Sequence, residues 1–199
     1  MDLALSIALG VGLAAAVGLR VFLPMLVMSV AAYTGHLALS GGFAWLGSAS
    51  AIVMLGVAAI LEIFAYYIPG VDNLLDAIAA PAALIAGIVV SAAVMTDLPP
   101  IVKWTTAVIA GGGAAGLTQG LTSLLRAKST VMTGGLGNHV LATGEWGGAL
   151  LVSLLALAFP VVAVALVAVF CWFAIRLVRR LFRKDSSAAP PPRSLAERS

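Results

Sequence analysis

From Leu3 to Tyr33 the chain carries one charged side chain, Arg20, in an otherwise apolar run. A run of roughly 20 apolar residues is enough to cross the hydrocarbon of a bilayer as a helix. Four more segments qualify, about Ser50 to Tyr67, Leu74 to Met95, Trp104 to Leu125 and Gly148 to Leu177. Soluble domains carry about 25% charged residues; here 10% are charged and 62% of the 199 residues are hydrophobic, so lipid must cover the surface. The expectation is an all-α integral membrane helix bundle of about five transmembrane helices. Residues 1–184 would form one transmembrane helical domain. Residues 185–199, rich in Ser, Ala, Pro and Arg, would form a disordered cytoplasmic tail.

Met1-Asp2 supplies no basic segment ahead of the first run, so that run reads as a helix and not as a cleavable leader. The first and last runs are long, and each holds a proline near its middle, Pro24 and Pro160, which predicts kinked or broken crossings. The net charge of +3 is dominated by Arg176, Arg179, Arg180, Arg183 and Lys184, just after the last run. That is a positive-inside signal, which puts the C-terminus in the cytoplasm and makes the bilayer, not nucleic acid, the expected partner. Five crossings would leave Arg126 to Gly147 as a polar outer loop. Arg126 and Lys128 then break the positive-inside rule, so this loop re-enters the membrane or one span is misplaced.

The polar residues inside apolar surroundings are the candidates for chemistry. Glu62 and Arg20 lie within two different runs, where an unpaired charge is costly, so they are natural partners. Their pairing reads either as a lock on helix register or as a substrate or proton site. Asp72 and Asp76 are four apart and share a face at the start of the third helix, with Asn73 beside them. They cap that helix or hold a cation. Gln119 lies between glycines on the fourth helix, with Thr118, Thr122 and Ser123 close in sequence. Arg20, Glu62, Asp72, Asn73, Asp76 and Gln119 are thus the candidate residues for binding an ion or small solute. His36 and His139 form a weak metal signal without a nearby cysteine pair, so the metal line stays open and no cofactor is assigned. The lone Cys171 sits in an apolar run and reads as a packing residue. No His-Glu-x-x-His, Gly-x-Ser-x-Gly or P-loop motif is present, so no catalytic residue is named and the chain is not expected to be an enzyme.

Two further patterns bear on architecture. Gly35-His36-Leu37-Ala38-Leu39-Ser40-Gly41 is similar to Asn138-His139-Val140-Leu141-Ala142-Thr143-Gly144, and a Trp follows each. Helices 1–2 and 4–5 would then form an inverted repeat, as in many transporters. Small residues recur every fourth position at Ser6, Gly10, Ala14 and Gly18, at Ala79, Ala83, Gly87 and Ser91, and at Gly112, Gly116 and Gly120. Such ladders let helices approach closely within a bundle, and the last would alternatively make a homo-oligomer.

Gly18-Leu19-Arg20-Val21-Phe22-Leu23-Pro24, together with Glu62 and Ile68-Pro69-Gly70-Val71-Asp72-Asn73 and Asp76, resembles a family of uncharacterised multi-pass bacterial membrane proteins, a domain-of-unknown-function family. The resemblance covers about Leu3 to Phe182. It departs from the family pattern at Ala65-Tyr66-Tyr67, where an acid and a base precede the proline in other members. It implies an inner-membrane location and no established activity. The expected function is a transporter or channel-like protein for an ion or small polar solute; the alternative is a non-transporting assembly or lipid-interacting protein.

Overall fold

The computed structural model describes the backbone of residues 3–66, 71–134 and 137–186, and their side chains except at 71–77, 174, 177–178 and 181–186. The elements are α1 (Leu3–Leu19), α2 (Phe22–Tyr33), a 3-10 segment at Gly41–Gly47, α3 (Ala49–Tyr66), α4 (Val71–Val94), α5 (Pro100–Thr106), a π-helical turn at Ala107–Gly112, α6 (Gly113–Thr133), α7 (Asn138–Ala158) and α8 (Pro160–Ser186). No strand occurs among the described residues, and the all-α helical bundle is the fold. Ala49–Tyr66, Pro100–Thr133 and Asn138–Ala158 are long and apolar enough to cross a membrane. Leu3–Leu19, Phe22–Tyr33, Ile78–Val94 and Pro160–Phe173 are shorter apolar helices. The protein is a multi-pass membrane protein. The tail expected at residues 185–199 falls almost wholly outside the described residues.

The core is built around α1. This helix is apolar on every side, which suits a helix surrounded by others. It packs against α4, α6, α7 and α8. The contacts are close because the small residues leave no Cβ in the way. A Cβ on Gly10 would come 2.7 Å from Ser91 Oγ, and one on Gly87 2.5 Å from Ala115 Cβ; on Gly18 it would strike the Ala115 carbonyl oxygen. Gly112 and Gly116 lie against Ile88 and Leu84 of α4, while Gly120 faces open space.

The long first run is two helices, not one crossing. Run straight, it would place Thr34 about 36 Å from Gly10. Six more residues reach back at most about 21 Å. Yet Ser40 N–H donates to the Ala93 carbonyl at 2.8 Å, two residues from the Ser91 that packs on Gly10. The chain therefore reverses between Leu19 and Phe22, and α2 returns packed against α3 and α7. The break lies four residues before Pro24, because the proline ring collides with the carbonyl at i−4, here Arg20, and offers it no N–H. In α2 itself Pro24 sits in the first turn, where a missing N–H costs nothing.

The last run divides in the same way. Gly144 and Phe170 would stand about 39 Å apart on a straight helix. Instead both line one cavity of about 250 Å³ with Ala15 and Leu19 of α1, so α8 folds back on α7. The turn is Phe159, which is forced out of helical geometry by Pro160 and has φ −141° and ψ 74°. The alternation of sides expected from five single crossings does not follow from this arrangement.

The expected polar loop from Arg126 to Gly147 is also corrected. α6 continues to Thr133, and α7 begins at Asn138. Gly134 ends α6 in the left-handed region, φ 63°. Gly137 N–H donates to Thr133 Oγ1 at 3.0 Å, and Asn138 Nδ2 to Thr130 Oγ1 at 2.8 Å, which ties the two helices into a hairpin. The likeness between Gly35–Gly41 and Asn138–Gly144 does not extend to structure: the first is turn and irregular chain, and the second is the start of α7. An inverted repeat built on those two segments is therefore not supported.

Candidate functional site

The reversal at Arg20 leaves polar backbone exposed inside an apolar bundle. Arg20 N–H still closes the last turn of α1 on Ala16 O at 3.1 Å. Val21 and Phe22 have no carbonyl one turn back to donate to. Glu62, one turn from the end of α3, supplies both acceptors: Val21 N donates to Oε1 at 2.9 Å and Phe22 N to Oε2 at 3.2 Å. The carboxylate thus caps a helix from another segment of the chain, at the positive end of the α2 dipole. Arg20 stands at the opposite pole, the C-terminal end of α1, where a cation is favoured.

Arg20 does not take Glu62 as its hydrogen-bonded partner. Its Nη2 donates to Glu145 Oε2 of α7 at 2.9 Å. Arg126 of α6 bridges the same Oε2 through its own Nη2. Arg20, Arg126 and Glu145 are 2%, 3% and 8% exposed, so this is a buried charge cluster. Tyr66, the last residue of α3, packs its ring beneath both guanidiniums, 3.8 Å from Arg20 Cζ and 4.5 Å from Arg126 Cζ. A stacked aromatic face attracts a desolvated guanidinium and leaves its edge free to donate. Arg20 Nε and Nη1 are buried and find no acceptor among the described residues.

Two cavities flank the cluster. One, about 380 Å³, lies between the start of α2, α3 and α4; Glu62 and Tyr66 are its polar groups, and Val21, Phe22, Ala79 and Ala82 line it. The other is the cavity of about 250 Å³ shared by α1, α6, α7 and α8, apolar except for Glu145, Thr118 and Thr122. Thr118 and Thr122 hydroxyls donate within α6, to Ala114 O and Gln119 O.

The structure brings Arg20 and Glu62 to the two sides of one helix break. Gln119 is buried on α6, with Nε2 donating to Ser123 Oγ at 3.3 Å. Asp72, Asn73 and Asp76 lie in the first turns of α4; their side chains are outside the described residues. His36 Nδ1 pairs with Thr34 Oγ1 at 3.0 Å on the surface, and His139 is exposed at the start of α7. Among the described residues no three His, Cys, Asp or Glu side chains gather for a metal.

Arg126, Glu145 and Tyr66 were not among the sequence candidates for the site. One signal was present: Arg126 stood on the wrong side of the positive-inside rule, as a residue does when it is buried in the bundle instead of facing water. Glu145 is hidden by the polar residues around it in sequence, and Tyr66 carries no charge to single it out.

Residues 7–180 match a family described as a domain of unknown function, DUF4126. The chain belongs to that family. It matches no curated protein and no solved structure. Both arms of the α1–α2 break, α3 with Glu62, and the Arg126–Glu145 pair all fall inside the matched region.

Proposed function

We propose that this DUF4126 protein is a non-enzymatic transporter or channel-like protein for an ion or small polar solute, acting in the cell inner membrane with its C-terminus in the cytoplasm. The observation that carries this reading is the helix break at Arg20–Val21, with buried charges at both of its poles. Membrane proteins tolerate non-helical backbone and intramembrane charge where a pathway or binding site is formed. Transporters use the N-termini of such half-helices to hold solutes. Here Arg20, Arg126, Glu62 and Glu145 supply the charges, and the acids of α4, Asp72 and Asp76, with Asn73 add to them. Gln119 would line the route from α6. The basic residues Arg176, Arg179 and Arg180 lie on the exposed face of α8, suited to anionic headgroups.

The test is solute flux into proteoliposomes across a panel of ions and small polar solutes, for wild type, Glu62→Gln and Asp76→Asn. Flux above protein-free vesicles that changes in either variant supports the reading. Flux equal to that of protein-free vesicles throughout, or unchanged in both variants, overturns it.

A second reading is favoured by the apolar cavity of about 250 Å³ beside Glu145: a lipid-interacting protein that moves no solute. Leu151→Trp, which fills that cavity, would then abolish co-purifying lipid and leave the Arg20 cluster intact.

A further inference from the structure

We propose that the first turn of α2, together with Arg20, is a binding site for a small carboxylate anion, and that Glu62 occupies it as an internal surrogate in the state described here. The inference rests on the transport reading and names its substrate class. A carboxylate already fills the site, its two oxygens taking the amides of Val21 and Phe22 at 2.9 and 3.2 Å. It comes from a separate segment of the chain, α3, so α2 does not depend on it covalently. Arg20, the residue just before those amides, keeps Nε and Nη1 without an acceptor among the described residues while only 2% exposed. An unsatisfied guanidinium edge in a membrane interior is expensive, and a bidentate carboxylate is the group whose geometry matches it. Room for such a ligand lies alongside: the cavity of about 380 Å³ touches Val21, Phe22, Glu62 and Tyr66. Its remaining lining among the described residues is apolar, which suits a carboxylate on a short hydrocarbon body over a fully hydrated ion.

A ligand entering this site must displace Glu62 from the amides. Glu62 is therefore a competitor, and removing its charge strengthens binding of the external anion. If Glu62 holds the site for nine-tenths of the time or more, the half-saturating anion concentration falls about tenfold or more in its absence.

The experiment is thermal unfolding of the detergent-solubilised full chain against increasing acetate and butyrate, with chloride at matched ionic strength. Wild type, Glu62→Gln and Glu62→Asp are compared. Glu62→Asp keeps the charge on a shorter stem that cannot span both amides, and stands in if Glu62→Gln does not fold. The expected result is stabilisation by carboxylate and not by chloride, with half-saturation about tenfold lower in Glu62→Gln and intermediate in Glu62→Asp. Equal responses in wild type and variants place the anion elsewhere and overturn the proposal, as does a carboxylate response no larger than that to chloride. Flux measured in parallel separates the two readings. Flux of another solute without carboxylate stabilisation defeats this site alone. Carboxylate stabilisation without flux of any solute defeats the transport reading and leaves the site standing.

Discussion

The chain reverses on itself at two prolines, and the two reversals are dressed in opposite ways. At Phe159–Pro160 backbone bonds straddle the turn: Phe159 N–H donates to Leu155 O at 2.7 Å and Ala163 N–H to Phe159 O at 3.0 Å. Two alanines flank that turn, Ala156 and Ala163, and both meet Gly12 of α1, where a Cβ would come 3.0 and 3.3 Å from theirs. The turn is a packing device. At Arg20–Val21 two amides are left over, and a carboxylate from α3 takes them while a guanidinium turns toward a second acid. Proline explains why each helix breaks. Only the charges distinguish the break that holds polar groups in the bundle from the one that merely changes direction.

That contrast is broken or sharpened by substitutions at four positions, read by unfolding in detergent. Glu145→Ala comes first. It removes the carboxylate shared by Arg20 and Arg126 and leaves buried cations behind, a loss of about 3–5 kcal/mol. Loss below about 1 kcal/mol would mean the cluster is solvated and the first reversal is no more polar than the second. Glu62→Ala orphans the amides of Val21 and Phe22, for about 1–3 kcal/mol. Glu62→Gln, which retains an acceptor, should lose less, and equal losses would remove the capping role. Gly12→Ala tests the apolar turn by crowding Ala156 and Ala163. We expect about 1 kcal/mol lost, at the low end for overpacked cores. A gain instead would show that the second turn yields freely. Pro160→Ala is expected to be the mildest, about 0.4–1 kcal/mol through the unfolded chain, because the hydrogen bonds around Phe159 do not require the proline.

Much of this was legible beforehand. Composition alone required a membrane, and the small-residue ladders anticipated α1, α4 and α6 in close contact. Pro24 and Pro160 marked interrupted helices, and Arg20 and Glu62 stood out as charges that needed an explanation. What hydropathy could not show was direction. A sum over apolar residues is the same for a helix that continues and for one that doubles back, so each long run read as a single crossing. Pro24 was taken as the site of the kink, although its ring acts on the residue four before it. The polar stretch from Arg126 to Gly147 read as a loop because its charges were scored against water. Glu145 is buried against Arg20, more than a hundred positions away, and no local pattern reports that distance. For Glu62 the sequence offered an opposite side-chain charge, where the structure supplied backbone amides that proline had set free.

The central place of α1 has a consequence for how the protein is made. α1 emerges from the ribosome before α4, α6, α7 and α8, the helices that cover its faces. Until the C-terminal hairpin of α7 and α8 has been synthesised, α1 has lipid where its last neighbours belong, and Arg20 lacks Glu145. The bundle therefore closes late, around a helix made before its neighbours, through contacts far apart in sequence, a slow kind of assembly. A chain cut short before α7 should insert and yet fail to mature, leaving an unmatched cation for quality-control proteases to find.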